Sequence, residues 1–289
     1  MLYPRMTVDS KTELYGLFGN PVRHSLSPLI HNTMFECLKM NAVYMAFQVE
    51  KELLGLAFEG IRSLGIRGVN ITIPHKENAI NFIDEIPEDV DRAIGAINTV
   101  VNRDGRLFGY NTDRPGFLTA LKEELNLNPE GKTCLVLGAG GAGRGVTFAL
   151  AHARAERILI YDMVLERAQG LVDYLETHFP ETEIEALDSL DAVSGEKISL
   201  VVNASNCGMK LEDPAPFDLK NLKEKVSVFD LIYSPVQTKL LKTAKELGLP
   251  CANGLGMLAA QAALSFELWT GVKEGVREKM LETLKKCQF

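Results

Sequence analysis

The segment 133–145 constrains this chain more than any other. Thr133-Cys134-Leu135-Val136-Leu137 is a short, nearly continuous apolar run, and Gly138-Ala139-Gly140-Gly141-Ala142-Gly143-Arg144-Gly145 follows it at once. Such a run reads as a parallel strand buried on both faces. Gly138, Gly140 and Gly143 hold the G-x-G-x-x-G spacing. In that spacing the first glycine permits a tight turn, the second lets backbone approach a pyrophosphate, and the third lets helix and strand pack closely. The next helical pattern, through Val146 and Phe148, aims its N-terminal amides at the anion. Asp162 stands at the end of the next strand pattern, RILIYD. An acidic residue there can accept from ribose hydroxyls and would repel a 2′-phosphate. Gly138, Ala139, Gly140, Gly141, Ala142 and Asp162 are therefore expected to bind a dinucleotide, NAD in preference to NADP. Arg144 and Arg167 keep NADP open, and the bland alternative is a glycine-rich turn without a ligand.

The chain has 289 residues, enough for two domains. It is 46% hydrophobic and 24% charged, as globular proteins are. A formal charge of −7 argues against nucleic-acid or acidic-membrane partners, because it leaves few cations to neutralise phosphates. The five cysteines are odd in number and none has C-x-x-C spacing, so neither a disulfide framework nor a zinc site is expected. The five histidines show no metal spacing. The opening stretch MLYPRMTVDSKTE has no apolar signal core, and no run of 18 apolar residues occurs. The expected location is the cytoplasm.

Short β-branched runs alternate with helical patterns along the chain. LYGLFG, AVYMAFQVE and GVNITI read as strands; PLIHNTMFECLKM, KELLGLAFEGIRSL and HKENAINFIDEI read as helices. Alternation of this kind implies βαβ units and a mainly parallel sheet. Asp104-Gly105, between two extended runs, signals a hairpin. The alternation then resumes through the glycine loop and ends in GMLAAQAALSFELWTG, a strongly apolar helix. The expected fold class is α/β in two domains. An N-terminal α/β substrate domain with a mainly parallel sheet precedes a Rossmann-like, doubly wound dinucleotide domain, with boundaries near Asp113 and Asn253.

Four further segments carry polar residues in an ordered set. They are Gly19-Asn20-Pro21 through His24-Ser25-Leu26-Ser27-Pro28, Asn70-Ile71-Thr72-Ile73-Pro74-His75-Lys76-Glu77, Ala96-Ile97-Asn98-Thr99, and Gly109-Tyr110-Asn111-Thr112-Asp113. With the glycine loop and Gly254-Leu255-Gly256-Met257-Leu258 through Gln261, the chain resembles the shikimate/quinate dehydrogenase family over nearly its whole length. The resemblance implies that residues 1–112 and 254–289 form the substrate-binding catalytic domain, the C-terminal helices returning to it. Residues 113–253 would form the NAD(P)-binding domain, and both ligands would meet in a cleft between the two. It implies Lys76 as proton donor and acceptor with Asp113 as partner. It also implies Ser25 and Ser27 for the substrate carboxylate, Thr72, Asn98, Tyr233 and Gln261 as further substrate contacts, and Gly254 on the cofactor.

Each position also has a reading of its own. Two hydroxyls near a helix N-terminus form an anion site without a formal cation, yet Ser27-Pro28 also reads as an N-cap followed by proline. Lys76, following Pro74, falls at the start of the expected helix 75–86. A lysine there opposes the helix dipole, which lowers its ammonium pKa and suits proton transfer; a solvated lysine is the alternative. Asp113 before Pro115 reads equally as an N-cap. Thr72 and Asn98 read equally as turn residues bonding backbone, and Tyr233 as a core aromatic.

The resemblance implies reversible hydride transfer between shikimate and 3-dehydroshikimate, by a monomer or homodimer. Biosynthetic NADP-dependent members carry Asn-Arg-Thr after the second cofactor-domain strand. Asp162-Met163-Val164 replaces it here, which adds to the expectation of NAD. That expectation keeps open a quinate/shikimate dehydrogenase of broader range, while Ser25 and Ser27 together favour shikimate. Arg114 and Asn253 also depart from the family pattern. A non-catalytic NAD-binding regulator is the rival of another class; it has no chemical reason to keep Lys76 with Asp113. Another two-domain dehydrogenase would explain the glycine loop alone.

Overall fold

The computed structural model describes residues 8–193, 195–222 and 225–287; Met1 to Thr7 of the opening stretch lie outside them. The chain divides into two compact units, Met1–Asp113 with Ala259–Phe289, and Arg114–Leu258.

In the first unit, strands β1 (Glu13–Gly19), β2 (Ala42–Gln48) and β3 (Gly68–Ile71) are parallel, linked by helices α1 (Ser27–Cys37) and α2 (Leu54–Ser63). After α3 (Asp89–Ile94), strands β4 (Thr99–Arg103) and β5 (Arg106–Tyr110) add an antiparallel hairpin, for a sheet order β2-β1-β3-β4-β5. Its turn is Asp104-Gly105, with φ of 53° and 89°. Both values suit a two-residue hairpin, whose twist matches that of the flanking strands. Phe58, Ile61, Val69, Ile71, Val100 and Leu107 fill the core between α2 and the sheet, each almost wholly buried. Each such side chain contributes about 2 kcal/mol by leaving water.

The second unit begins with helix α4, which spans Asp113–Leu125 and so takes its first residue from the first unit. Its sheet comprises β6 (Thr133–Leu137), β7 (Arg157–Tyr161), β8 (Glu183–Leu187), β9 (Leu200–Asn203), β10 (Ser227–Asp230) and β11 (Cys251–Asn253). All pairs are parallel and the order is β11-β10-β9-β6-β7-β8. Three helices cross between strands: α5 (Gly141–His152), α6 (Leu165–Glu176) and α7 (Lys239–Glu246). The strand order reverses between β6 and β9, the topological switch point at which doubly wound sheets bind ligands.

Two helices close the chain, α8 (Leu255–Thr270) and α9 (Val276–Lys286). In the first unit, α9 lies against α1, Phe266 and Trp269 of α8 join Tyr44 around the His31 ring, and Phe266 also packs on Phe35. The first turn of α8 belongs to the second unit, so contacts divide the chain at Leu258 rather than at Asn253. Gly254 explains this locally: a Cβ there would come within 2.0 Å of the Leu231 carbonyl oxygen. No described helix is long and apolar enough to cross a membrane.

Candidate active site

The turn carrying Lys76 is pinned on both sides. Thr72 N donates to Phe18 O, His75 N to Thr72 O, and Ile97 N to the Lys76 carbonyl. The fully buried His75 ring donates from Nε2 to Val49 O at 2.7 Å. The expected helix over 75–86 does not form. A five-residue 3₁₀ segment, Asn78–Phe82, takes its place, and Glu85 bridges to Phe108 of the sheet. Pairing with β5 removes the backbone that an α-helix would need, and the dipole argument for Lys76 falls with it.

What Lys76 has instead is a carboxylate. Its Nζ donates to Asp113 Oδ2 at 2.7 Å, with side-chain exposures of only 17% and 16%. Asp113 opens α4, where the helix dipole also favours its negative charge. Partial burial makes loss of either partner costly, because the remaining charge is then left unpaired.

Asn98 and Gln261 are also brought together, Asn98 Nδ2 donating to Gln261 Oε1 at 3.3 Å. Thr112 N donates to Asn98 Oδ1 at 2.8 Å, which fixes the direction of the amide. Thr72 is half-buried on the Lys76 turn. Ser27 is the first residue of α1 rather than its N-cap, and its backbone N–H donates to Ser25 Oγ at 3.2 Å. Ser25 Oγ thus lies at the start of α1, where Leu26 holds the N-cap position and no side chain caps the helix.

In the second unit, Gly138 has φ of +105° and Gly143 would carry a Cβ 1.9 Å from the Gly138 carbonyl oxygen. The fold itself demands both. A Cβ at Gly140 would meet nothing within 4 Å. Gly140 precedes α5 directly, so open space lies where amides of a helix N-terminus can receive a pyrophosphate. The glycine loop fits a dinucleotide on that ground.

Beside it, Asn203 and Asp230 end β9 and β10. The buried Asp230 accepts from Asn203 Nδ2, Ile232 N and Thr238 Oγ1 at 2.9, 3.1 and 2.6 Å. Burial pushes its carboxyl up to about 6. Tyr233 follows on the same loop, its phenol pushed up by burial. Asn253 Oδ1 accepts from Leu255 N while its Nδ2 donates to Val236 O, so the amide in this position serves the start of α8.

The substrate binding domain of shikimate dehydrogenase matches residues 17–100, and the shikimate 5′-dehydrogenase C-terminal domain matches 254–285. A shikimate dehydrogenase (NADP(+)) of Caldanaerobacter subterraneus subsp. tengcongensis is 43% identical over 95% of this chain and 99% of its own length. The chain belongs to the shikimate dehydrogenase family.

A second relative, the shikimate dehydrogenase (NADP(+)) of Geobacillus kaustophilus, is 45% identical over 90% of this chain and 93% of its own. Among solved structures, the shikimate 5-dehydrogenase of Thermus thermophilus in complex with NADP(H) and shikimate superposes with a TM-score of 0.83. It is 38% identical, covering 95% of this chain and 99% of that one. These relatives overturn the expectation of NAD drawn from Asp162. The structure supplies the physical reason. Asp162 Oδ2 accepts from Ala139 N at 2.8 Å and Oδ1 from Val164 N at 2.9 Å. The carboxylate braces the glycine loop, so its place at a strand end does not make it a reader of ribose.

Two residues of the first unit's polar cluster escaped the sequence reading, Tyr44 and Ser265. Only Ser265, one helical turn beyond Gln261, left a trace there, as a polar residue in an otherwise apolar stretch.

Proposed function

We propose that this chain is an NADP-dependent shikimate dehydrogenase, interconverting shikimate and 3-dehydroshikimate, with Lys76 and Asp113 as its proton-transfer pair. The observation that carries the reading is the 2.7 Å contact between two largely buried charges. A family member that only sensed a ligand would gain nothing from holding them.

NADP, when bound, supplies the hydride acceptor in oxidation and the donor in reduction. The protein's own residues do the rest. In reduction the Lys76 ammonium gives a proton to the oxygen of the forming alkoxide. In oxidation the amine takes the proton of the substrate hydroxyl. Asp113 holds Lys76 in register and balances its charge throughout. Ser25 and Ser27 receive the substrate carboxylate at the start of α1, where hydroxyl donors and helix dipole act together. Thr72, Asn98, Gln261 and Tyr233 meet the ring and its hydroxyls, and Gly138 to Ala142 with Gly254 hold the cofactor. The first unit, 1–113 with 259–289, serves as the substrate domain and the second, 114–258, as the cofactor domain. We place the enzyme in the cytoplasm, a reading supported by five cysteines free of disulfides.

The test crosses shikimate and quinate with NADP⁺ and NAD⁺ in four reactions followed at 340 nm. Turnover of shikimate with NADP⁺ is the expected result. Faster turnover of quinate would move the chain to a quinate enzyme. Silence in all four, from folded protein, would overturn the reading.

A further inference from the structure

Three hydroxyls close a triangle inside the first unit. Ser265 Oγ lies 2.7 Å from Thr99 Oγ1 and 3.2 Å from Thr112 Oγ1, and the two threonine oxygens are 3.3 Å apart. Ser265 and Thr99 have no exposed surface, and Thr112 is 3% exposed. Asn70 Nδ2 donates into the triangle, to Ser265 Oγ at 3.0 Å and Thr99 Oγ1 at 3.2 Å. Asn70 Oδ1 in turn accepts from the Tyr44 hydroxyl. Four separate segments thus converge, β3, β4, the residue before α4, and α8.

The sense of the hydrogen bonds can be followed outward from one fixed point. A backbone N–H only donates, so Thr112 N forces Asn98 to present Oδ1 to it. Asn98 Nδ2 then donates to Thr112 Oγ1 at 2.9 Å and to Gln261 Oε1 at 3.3 Å. Gln261 is left with its own amide N–H₂ turned away from Asn98, as a donor. Ser265 stabilises this arrangement from behind. Its Oγ donates to the Gln261 carbonyl at 3.0 Å, one helical turn earlier, and accepts from Asn70 Nδ2 at 3.0 Å. This leaves one lone pair for a threonine proton, Thr99 Oγ1 lying nearer at 2.7 Å than Thr112 Oγ1 at 3.2 Å. Without that oxygen, the nearest remaining side-chain acceptor for either threonine proton is Asn98 Oδ1, at 3.2 Å from each. The Asn98 amide would then take up the proton that Ser265 had accepted, competing with the backbone bond that orients it.

We propose that Ser265 is a positioning residue for substrate binding. Through the buried hydroxyl triangle with Thr99 and Thr112 it sets the orientation of the Asn98 amide and the donor polarity of Gln261. The inference rests on the proposed function, in which those two amides meet the substrate. Ser265 itself touches no ligand. Thr112 directly precedes Asp113, so the same triangle steadies the backbone from which the partner of Lys76 projects.

The experiment compares the wild-type chain with Ser265→Ala, Thr99→Val and Thr99→Ser in steady-state turnover of shikimate with NADP⁺. NADP⁺ affinity and melting temperature are measured beside it. Ser265→Ala and the near-isosteric Thr99→Val are expected to raise KM for shikimate about fivefold to thirtyfold. For both, kcat should stay within about threefold and NADP⁺ affinity should be unchanged. Thr99→Ser, which keeps the hydroxyl, should restore KM to within about twofold of wild type. Lowered melting temperatures with KM unmoved in both hydroxyl-less variants would overturn the inference and leave the triangle a packing feature. Loss of kcat and KM alike in Thr99→Ser would overturn it too, since the methyl would then matter rather than the hydroxyl. No turnover by the wild-type chain would overturn the proposed function and the inference with it.

Discussion

Lys76 and Asp113 stand 37 positions apart and meet at 2.7 Å, the lysine on a turn after a parallel strand and the aspartate at the first residue of a helix. Each end is anchored by backbone hydrogen bonds that involve neither charge. The Lys76 carbonyl accepts from Ile97, and Asn111, two residues before Asp113, donates its N–H to Asp91. The backbone from which both side chains project is therefore held independently of the ion pair.

That independence yields a two-variant prediction. Lys76→Ala should lower turnover by roughly two to four decades while leaving NADP⁺ affinity near normal. Lys76→Arg should keep the ion pair, yet lose turnover almost as far, because guanidinium does not give up its proton near neutrality. Steady-state kinetics with a separate NADP⁺ titration checks both, and an arginine variant with most of its turnover would remove Lys76 from proton transfer.

The glycine loop separates a folding role from a binding role. Gly143→Ala drives a Cβ to 1.9 Å from the Gly138 carbonyl oxygen, so the loop must shift, at about 1–3 kcal/mol or more of stability. Gly140→Ala meets nothing and its φ of −75° suits alanine, so the fold should be untouched. NADP⁺ affinity should nevertheless fall about tenfold or more, because the methyl occupies the approach to the amides. Melting curves beside NADP⁺ titrations read both effects, and normal affinity in Gly140→Ala would show that the phosphates pass elsewhere.

Asp162 offers a test of the correction to cofactor choice. Removing a brace should weaken both cofactors, whereas removing a ribose reader should specifically improve NADP⁺. Asp162→Ala is expected to weaken NADP⁺ and NAD⁺ alike by about threefold to thirtyfold. Dissociation constants for the two cofactors would expose a selective gain for NADP⁺, the outcome that contradicts a brace.

His31 predicts the response of stability to acid. Burial lowers its pKa from the usual 6.5 to about 3, and neither ring nitrogen has a partner among the described residues. Between those values the unfolded chain binds a proton that the folded chain does not. This group's contribution is therefore full above pH 6.5 and is lost as pH falls toward 3. His31→Phe, which keeps an aromatic ring stacked at 4.4 Å on Tyr44, should remove about 2 kcal/mol of the loss between pH 7 and pH 5. Urea unfolding at the two pH values measures it, and equal losses in both proteins would mean that His31 is already protonated in the fold.

Much of this molecule is written locally. The strand Thr133–Leu137, the glycine turn and the helix after it depend on hydrophobic runs and on conformations that glycine alone adopts readily, so neighbours in sequence determine them. The hairpin at Asp104-Gly105 is equally local, because its turn needs positive φ at both positions. Lys76, Asp113, Asn98 and Gln261 stand out in the sequence only as members of an ordered set of motifs that resembles one family. Their individual signals are those of ordinary turns and caps.

Tertiary structure decided the rest. HKENAINFIDEI has a helical pattern, but Glu85 bridges to a strand that lies more than twenty residues onward, and that pairing overrides local preference. Asp162 has the type and position of a ribose reader, while its partners, Ala139 N and Val164 N, are settled only when the loop folds back on it. Ser265 shows no motif, and its role depends on Thr99 and Thr112 arriving from 166 and 153 residues away. Propensity and periodicity act over a few residues and leave a record in the sequence. Hydrogen-bond direction and the closure of a buried polar network depend on which distant groups become neighbours, and only the folded chain determines that.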